Sequence, residues 1–207
     1  KNKPNAMKKA CLSTAMTAFV LSFASLTPQS TFAARHNILL VIADDYGTDS
    51  SSLYNTNPRA SLPPTPNINA LCETGILFRN AYSYPTCSPT RSSILTGRYG
   101  FRTGIGFPVM QGDGLALPGN ERTIPKILTA NPQLGYRHAN IGKWHLGFGG
   151  TDPNVLGGWG HFSGSLGGRL ESFTQWSKRV NGVSSTSRTY ATTETVNDSI
   201  AWIQQQG

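Results

Sequence analysis

Asn37-Ile38-Leu39-Leu40-Val41-Ile42-Ala43, followed at once by Asp44-Asp45, is the stretch that decides how this chain folds. The apolar run has neither the alternation of a half-buried strand nor the 3.6-residue period of a surface helix. It predicts a strand buried on both faces, as in a parallel sheet. Downstream, Thr65-Pro66 predicts a helix start, with Ile68, Leu71 and Cys72 on one face and Gly75 as the stop. Residues 76–81 predict a short strand. Thr123 is placed to cap a helix carrying Ile124, Ile127 and Leu128, which Asn131-Pro132 breaks, and residues 136–141 predict a second strand. Residues 193–206 read as an amphipathic helix with Val196, Ile200 and Ile203 on its buried face. Segments 50–64, 97–120 and 149–168 are rich in Gly, Pro, Ser or Asn and read as loops. Strands alternating with helices predict an α/β domain, a mainly parallel sheet flanked by helices.

The chain has 207 residues, enough for one domain. Met7-Lys8-Lys9 opens a basic segment, Ala10 to Leu26 is almost uncharged, and Thr31-Phe32-Ala33 offers small residues at a cleavage site. Residues 1–34 therefore read as upstream residues and a secretory signal peptide, cleaved by signal peptidase after Ala33 or Ala34, with the folded domain at 35–207. The apolar stretch is short and carries several Ser and Thr, which argues against a stable membrane anchor. The expected location is exported, periplasmic or extracellular. The formal charge is +8; without Lys1, Lys3, Lys8 and Lys9 it is +4, a mild excess compatible with an anionic substrate. No basic run interleaved with aromatics points to nucleic acid. With Cys11 in the signal segment, Cys72 and Cys87 remain, and a disulfide between them is one reading of Cys87.

Ligands of open α/β sheets bind beyond the carboxyl ends of the strands. Three polar clusters are predicted to meet there. Asp44 and Asp45 end the first strand and suit a hard cation that needs several oxygen ligands. Cys87-Ser88-Pro89-Thr90-Arg91-Ser92-Ser93-Ile94-Leu95-Thr96-Gly97-Arg98 places a thiol, a proline and an arginine where a turn becomes a helix. Cys87 and Arg91, four apart, share one side of that helix, and its free N–H groups attract anions. Gly142-Lys143-Trp144-His145-Leu146-Gly147 puts Lys143 and His145 two apart at the second strand's end, on one face if the strand continues. His36, His138 and His161 lack such company and read as structural.

Asp44-Asp45, the C-x-P-x-R core of 87–91 and the segment 135–147 resemble, in order and spacing, the type I sulfatases of the alkaline-phosphatase-like superfamily. Thr96-Gly97-Arg98-Tyr99 leading to Arg102-Thr103-Gly104, and Tyr190-Ala191-Thr192, are most similar to the arylsulfatase B-like branch. The resemblance implies an alkaline-phosphatase-like fold and a sulfuric ester hydrolase. It implies that a formylglycine-generating maturation enzyme converts Cys87 to formylglycine (3-oxoalanine), whose hydrate attacks sulfur. Asp44 and Asp45 would hold Ca²⁺, with the residue at 87 as a further ligand. Arg91 would stabilise the formylglycine oxygens, Lys143 would bridge nucleophile and sulfate, and His145 would take a proton. The implied substrate is a sulfate ester, a sulfated glycan or an aryl sulfate.

Two departures stand beside the resemblance. Gly158-Trp159-Gly160-His161-Phe162 occupies the place of the family's usual Gly-Phe-Asp-aromatic turn. The later Asp-Asn pair, His and Lys that complete the family's site do not occur before Gly207. The sequence therefore reads as the N-terminal portion of such a domain, expected to leave an apolar sheet edge exposed and to be inactive by itself. Two other readings remain: a formylglycine-dependent phosphonate monoester or phosphodiester hydrolase, and a non-catalytic exported remnant that binds Ca²⁺ or sulfated glycans.

Overall fold

The computed structural model describes residues 36–148 and 152–207. The signal segment and Cys11 lie outside them. The chain divides into two units, Lys1–Ile42 and Ala43–Gly207.

In the first unit, residues 36–42 form neither helix nor strand, and Ile38, Leu39 and Val41 are largely exposed. The expected buried strand is therefore not formed. Apolarity specifies that a segment wants burial, whereas a strand also needs a ladder partner, and no described strand pairs with this run. Residues 76–81 likewise form no strand, with Ile76 and Phe78 exposed. The Phe78 carbonyl instead accepts from Tyr54 Oη at 3.0 Å.

The first α-helix of the second unit is α1 (Pro66–Thr74), which starts on its proline and ends at Gly75. Its face of Ile68 and Leu71 stays exposed. Helix α2 (Cys87–Thr96) carries Pro89 in its first turn, where a missing N–H costs nothing. Gly97 closes it in the left-handed conformation (φ 69°), its N–H reaching the Ser93 carbonyl at 2.8 Å. Thr123 caps α3 (Ile124–Ala130), accepting from the Lys126 N–H at 3.3 Å, and Asn131 ends it.

Among the described residues the sheet has four strands in the order β1-β2-β3-β4. Strand β1 (Ala139–Lys143) lies a few residues later than the sequence suggests and runs parallel to β2 (His161–Ser165), Ala139 facing His161 and Lys143 facing Ser165. Strands β3 (Trp176–Val180) and β4 (Val183–Ser187) add antiparallel, so the α/β sheet is mixed, with one parallel and two antiparallel pairings. The hairpin turns on Asn181-Gly182 (φ 44° and 90°), the residue pair that a two-residue hairpin loop favours.

Segment 149–168 is not the uniform loop its glycines suggest, since it includes α4 (Pro153–Leu156) and β2. Gly164 marks close approach rather than a turn. A Cβ there would collide with the Gly142 carbonyl oxygen and stand 2.8 Å from the Gly142 nitrogen across the ladder.

The core packs Leu95 of α2, Ile105, Val109 and Leu117 of the following loop, Trp144 and Leu146 after β1, and Phe162 of β2. Helix α5 (Ala191–Gln204) packs on β1 and β2. Its apolar residues Val196, Ile200 and Ile203 remain about half exposed, contrary to the expected buried face. The seat is polar instead. Lys178 of β3 pairs with Glu194 at 2.7 Å and Asp198 at 2.6 Å, and Ser163 donates to Asp198 at 2.6 Å.

Candidate active site at the end of strand β1

Strand β1 delivers Lys143 to its carboxyl end, and α2 begins beside it. The two are joined by Arg91, whose Nη1 donates to the Lys143 carbonyl at 2.7 Å. Its Nη2 donates to Asp44 Oδ1 at 3.2 Å, while Lys143 Nζ donates to Asp44 Oδ2 at 2.7 Å. One carboxylate thus bridges two cations that came from different elements. Burial alone would raise the pKa of Asp44; the Lys143 hydrogen bond and charge, with those of Arg91, outweigh it and hold Asp44 below the usual carboxylate range. Both cations are largely buried, and the carboxylate faces outward.

Asp44 and Asp45 form a turn, Asp45 at φ 53°, a conformation that aspartate tolerates better than most residues. One ligand atom each from Asp44, Asp45 and Cys87 lie within 4.8 Å of one another. Each oxygen of Asp44, although paired, keeps a second lone pair for a cation. Two carboxylates suit Ca²⁺, which wants oxygen, and the Cys87 sulfur does not. With an oxygen in place of that sulfur the donor set becomes all-oxygen, and it then fits a hard cation. Cys72 and Cys87 are both free thiols, so the disulfide reading of Cys87 is not realised.

His145 is placed differently from its neighbours. Strand β1 ends at Lys143, and His145 takes φ 55°, so the two side chains do not continue one face. The ring is buried, with Nε2 2.9 Å from the Val109 carbonyl oxygen. A carbonyl only accepts, so Nε2 carries the hydrogen. Burial, then the charges of Lys143 and Arg91, lower the pKa of His145 against the opposing Val109 bond and Asp44. The neutral ring then keeps its lone pair on Nδ1, which is buried without a partner among the described residues. Phe148 meets the ring edge-on at 6.3 Å, and a Cβ at Gly168 would collide with it.

The structure thus gathers Asp44, Asp45, Cys87, Arg91 and Lys143 into one cluster, and it brings the His145 backbone to the same helix through Ser88. The hydroxyl of Ser88, fully buried, donates to the His145 carbonyl at 2.8 Å and accepts from the Val109 N–H at 2.9 Å. Sequence reasoning passed over Ser88, Val109 and Gly168. Only Ser88 carried a signal, lying inside the C-x-P-x-R core at a position that faces inward when 87–96 is helical.

No helix among the described residues is long and apolar enough to cross a membrane. Arylsulfatase D of Homo sapiens is 41% identical over 128 residues, 58% of this chain and 20% of that protein. N-acetylglucosamine-6-O-sulfatase of Bacteroides thetaiotaomicron is 35% identical over 146 residues, 70% of this chain and 24% of that protein. Among solved structures, Ps i-CgsB superposes with a TM-score of 0.69 at 25% identity, covering 80% of this chain and 40% of that one. A second, solved in complex with its substrate D-glucosamine-2-N,6-O-disulfate, gives 0.60 at 30% identity, covering 78% and 29%. The chain spans about a fifth to a quarter of the length of these curated relatives. The family model for Sulfatase matches residues 36–207, and on that match the chain belongs to the sulfatase family.

Proposed function

We propose that the protein to which this chain belongs is an exported sulfuric ester hydrolase whose nucleophile is a formylglycine made from Cys87. The observation that carries this reading is the donor set itself: two carboxylates that suit Ca²⁺ converge with a sulfur that does not. Conversion by a maturation enzyme, which supplies the oxidant, replaces the Cβ–S bond and one Cβ–H bond by C=O, so that S, the thiol H and one Cβ H are lost and O is gained. Hydrated, the aldehyde supplies two hydroxyls on one carbon: one attacks sulfur as the S–O bond to the ester alcohol breaks, and the other then loses its proton to re-form the carbonyl as the C–O bond to sulfate breaks. Asp44, Asp45 and an oxygen at 87 would hold a calcium ion, which would supply Lewis acidity to the reaction.

The chain's own groups do the rest. Arg91 and Lys143, fixed by Asp44, present buried positive charge to an incoming sulfate. Unpaired N–H groups in the first turn of α2 add to that field. His145 is the proton acceptor, through Nδ1, because Nε2 is committed to Val109. The substrate is a sulfate ester, and the relatives named for N-acetylglucosamine 6-sulfate and bound to glucosamine disulfate favour a sulfated glycan. Export follows from the signal-like segment at 1–34, with residues 35–207 as the N-terminal part of the catalytic domain. Among the described residues no further acidic group joins the metal cluster, and the 207 residues alone are expected to turn over poorly.

The test is the full-length protein, co-expressed with a maturation enzyme and assayed on aryl sulfate, sulfated glucosamine and phosphonate monoester. A Cys87 peptide about 18 Da lighter than the thiol form, with sulfate-ester turnover, is the expected result. Preference for the phosphonate, or an intact alkylatable thiol in an active enzyme, overturns the reading.

A further inference from the structure

Resting on that reading, we infer that Ser88 is a positioning residue that fixes the nucleophile at the tip of α2 against the base on the β1 loop. Three observations converge on it. Ser88 is fully buried, yet its hydroxyl is used twice, donating to the His145 carbonyl at 2.8 Å and accepting from the Val109 N–H at 2.9 Å. Val109 in turn accepts from His145 Nε2 at 2.9 Å, which closes a ring of hydrogen bonds through Ser88, His145 and Val109. Each of the three belongs to a different segment: the helix bearing Cys87, the end of the strand bearing Lys143, and the loop between α2 and α3.

The ring constrains both partners of the reaction. Ser88 follows Cys87 directly, so the bond to the His145 carbonyl sets the first turn of α2 against residue 145. The bond from Val109 places the carbonyl that selects the Nε2–H form and leaves Nδ1 as the base. His145 sits at positive φ, a conformation it does not hold without outside support. Removing the hydroxyl strands a buried carbonyl and a buried N–H, and it releases that support. The consequence is misplacement of reacting groups, with substrate binding by Arg91 and Lys143 left in place.

The test compares Ser88→Ala with Thr123→Ala in the full-length matured protein. Thr123 is a matched control, buried to the same degree, donating to the Gly157 carbonyl and accepting from the Lys126 N–H, but at the start of α3. With Cys87 conversion verified by mass, Ser88→Ala is expected to lower kcat about 10- to 100-fold with KM within about twofold. Thr123→Ala is expected to lose stability and keep kcat. If Ser88→Ala does not fold, Ser88→Cys, close in volume but weaker as donor and acceptor, is expected to lower kcat by about tenfold or less. A converted Ser88→Ala, or in its absence Ser88→Cys, with wild-type kcat overturns the inference and leaves the sulfatase reading intact. A wild type that neither converts Cys87 nor cleaves a sulfate ester overturns both.

Discussion

At the end of β1, two buried cations stand behind one outward-facing carboxylate. Beneath α5, one buried cation is closed in by two carboxylates. The first cluster joins Arg91 and Lys143 to Asp44, with Asp45 and Cys87 beside them and open to solvent or a ligand. In the second, Lys178 meets Glu194 and Asp198, and each carboxylate also holds a serine hydroxyl, Ser187 and Ser163 respectively. Burial would lower the pKa of Lys178, and the hydrogen bonds and charges of Asp198 and Glu194 reverse this and raise it. The same chemistry of opposite charges thus serves two ends. A cluster whose lone pairs and protons are filled from within is a fastening. One that turns a carboxylate, a thiol and a helix tip outward is arranged to receive a ligand.

That contrast is breakable, and the largest expected effect lies at the open cluster. Cys87→Ala in the full-length protein should reduce sulfate-ester turnover by about 10³-fold or more with the fold unchanged by circular dichroism. Lys178→Met should do the reverse. It leaves two carboxylates facing each other under α5 and should cost about 3 kcal/mol in denaturant unfolding, with kcat of the folded fraction retained. A kcat loss there would show that the closed cluster also serves the site. Asp44→Asn should weaken calcium binding about tenfold by titration calorimetry, because it removes one ligand charge. The smallest effect concerns pH. Burial is the leading cause that lowers the pKa of His138, His145 and His161. Below about pH 6.5 the unfolded chain therefore takes up protons first, so stability should be full above that pH and decline as it falls, read as a shift in unfolding midpoint.

Local spacing along one helix was more legible in the sequence than the pairing of strands was. Cys87, Pro89 and Arg91 are local along one helix, and their spacing alone puts thiol and guanidinium on one side. Helix boundaries at Pro66, Gly75 and Thr123 were legible for the same reason, since caps and stops act within a turn. Pairing was not. The run at 37–43 signals burial with nothing in it to name a ladder partner, and the glycines at 160 and 164 signal a loop while serving close strand approach. The seat of α5 was hidden too, because its fastening joins Lys178 to residues on a different element, and an amphipathic pattern at Val196, Ile200 and Ile203 drew attention to the other side. His145 shows the limit most clearly. Its place beside Lys143 was visible in the sequence, but the ring's orientation depends on Val109, thirty-six positions away.

Gly142 and Gly164 face each other across the parallel ladder, with Thr195 of α5 lying over Gly142. This bare patch gives the molecule a handle that ordinary active-site substitution lacks. A single methyl at 164 would act as a wedge between β1 and β2, one residue from Lys143, without altering any group that touches a ligand. Such a substitution should part the two strands and lower the unfolding midpoint, because the atoms it meets are backbone and not a side chain that can swing aside.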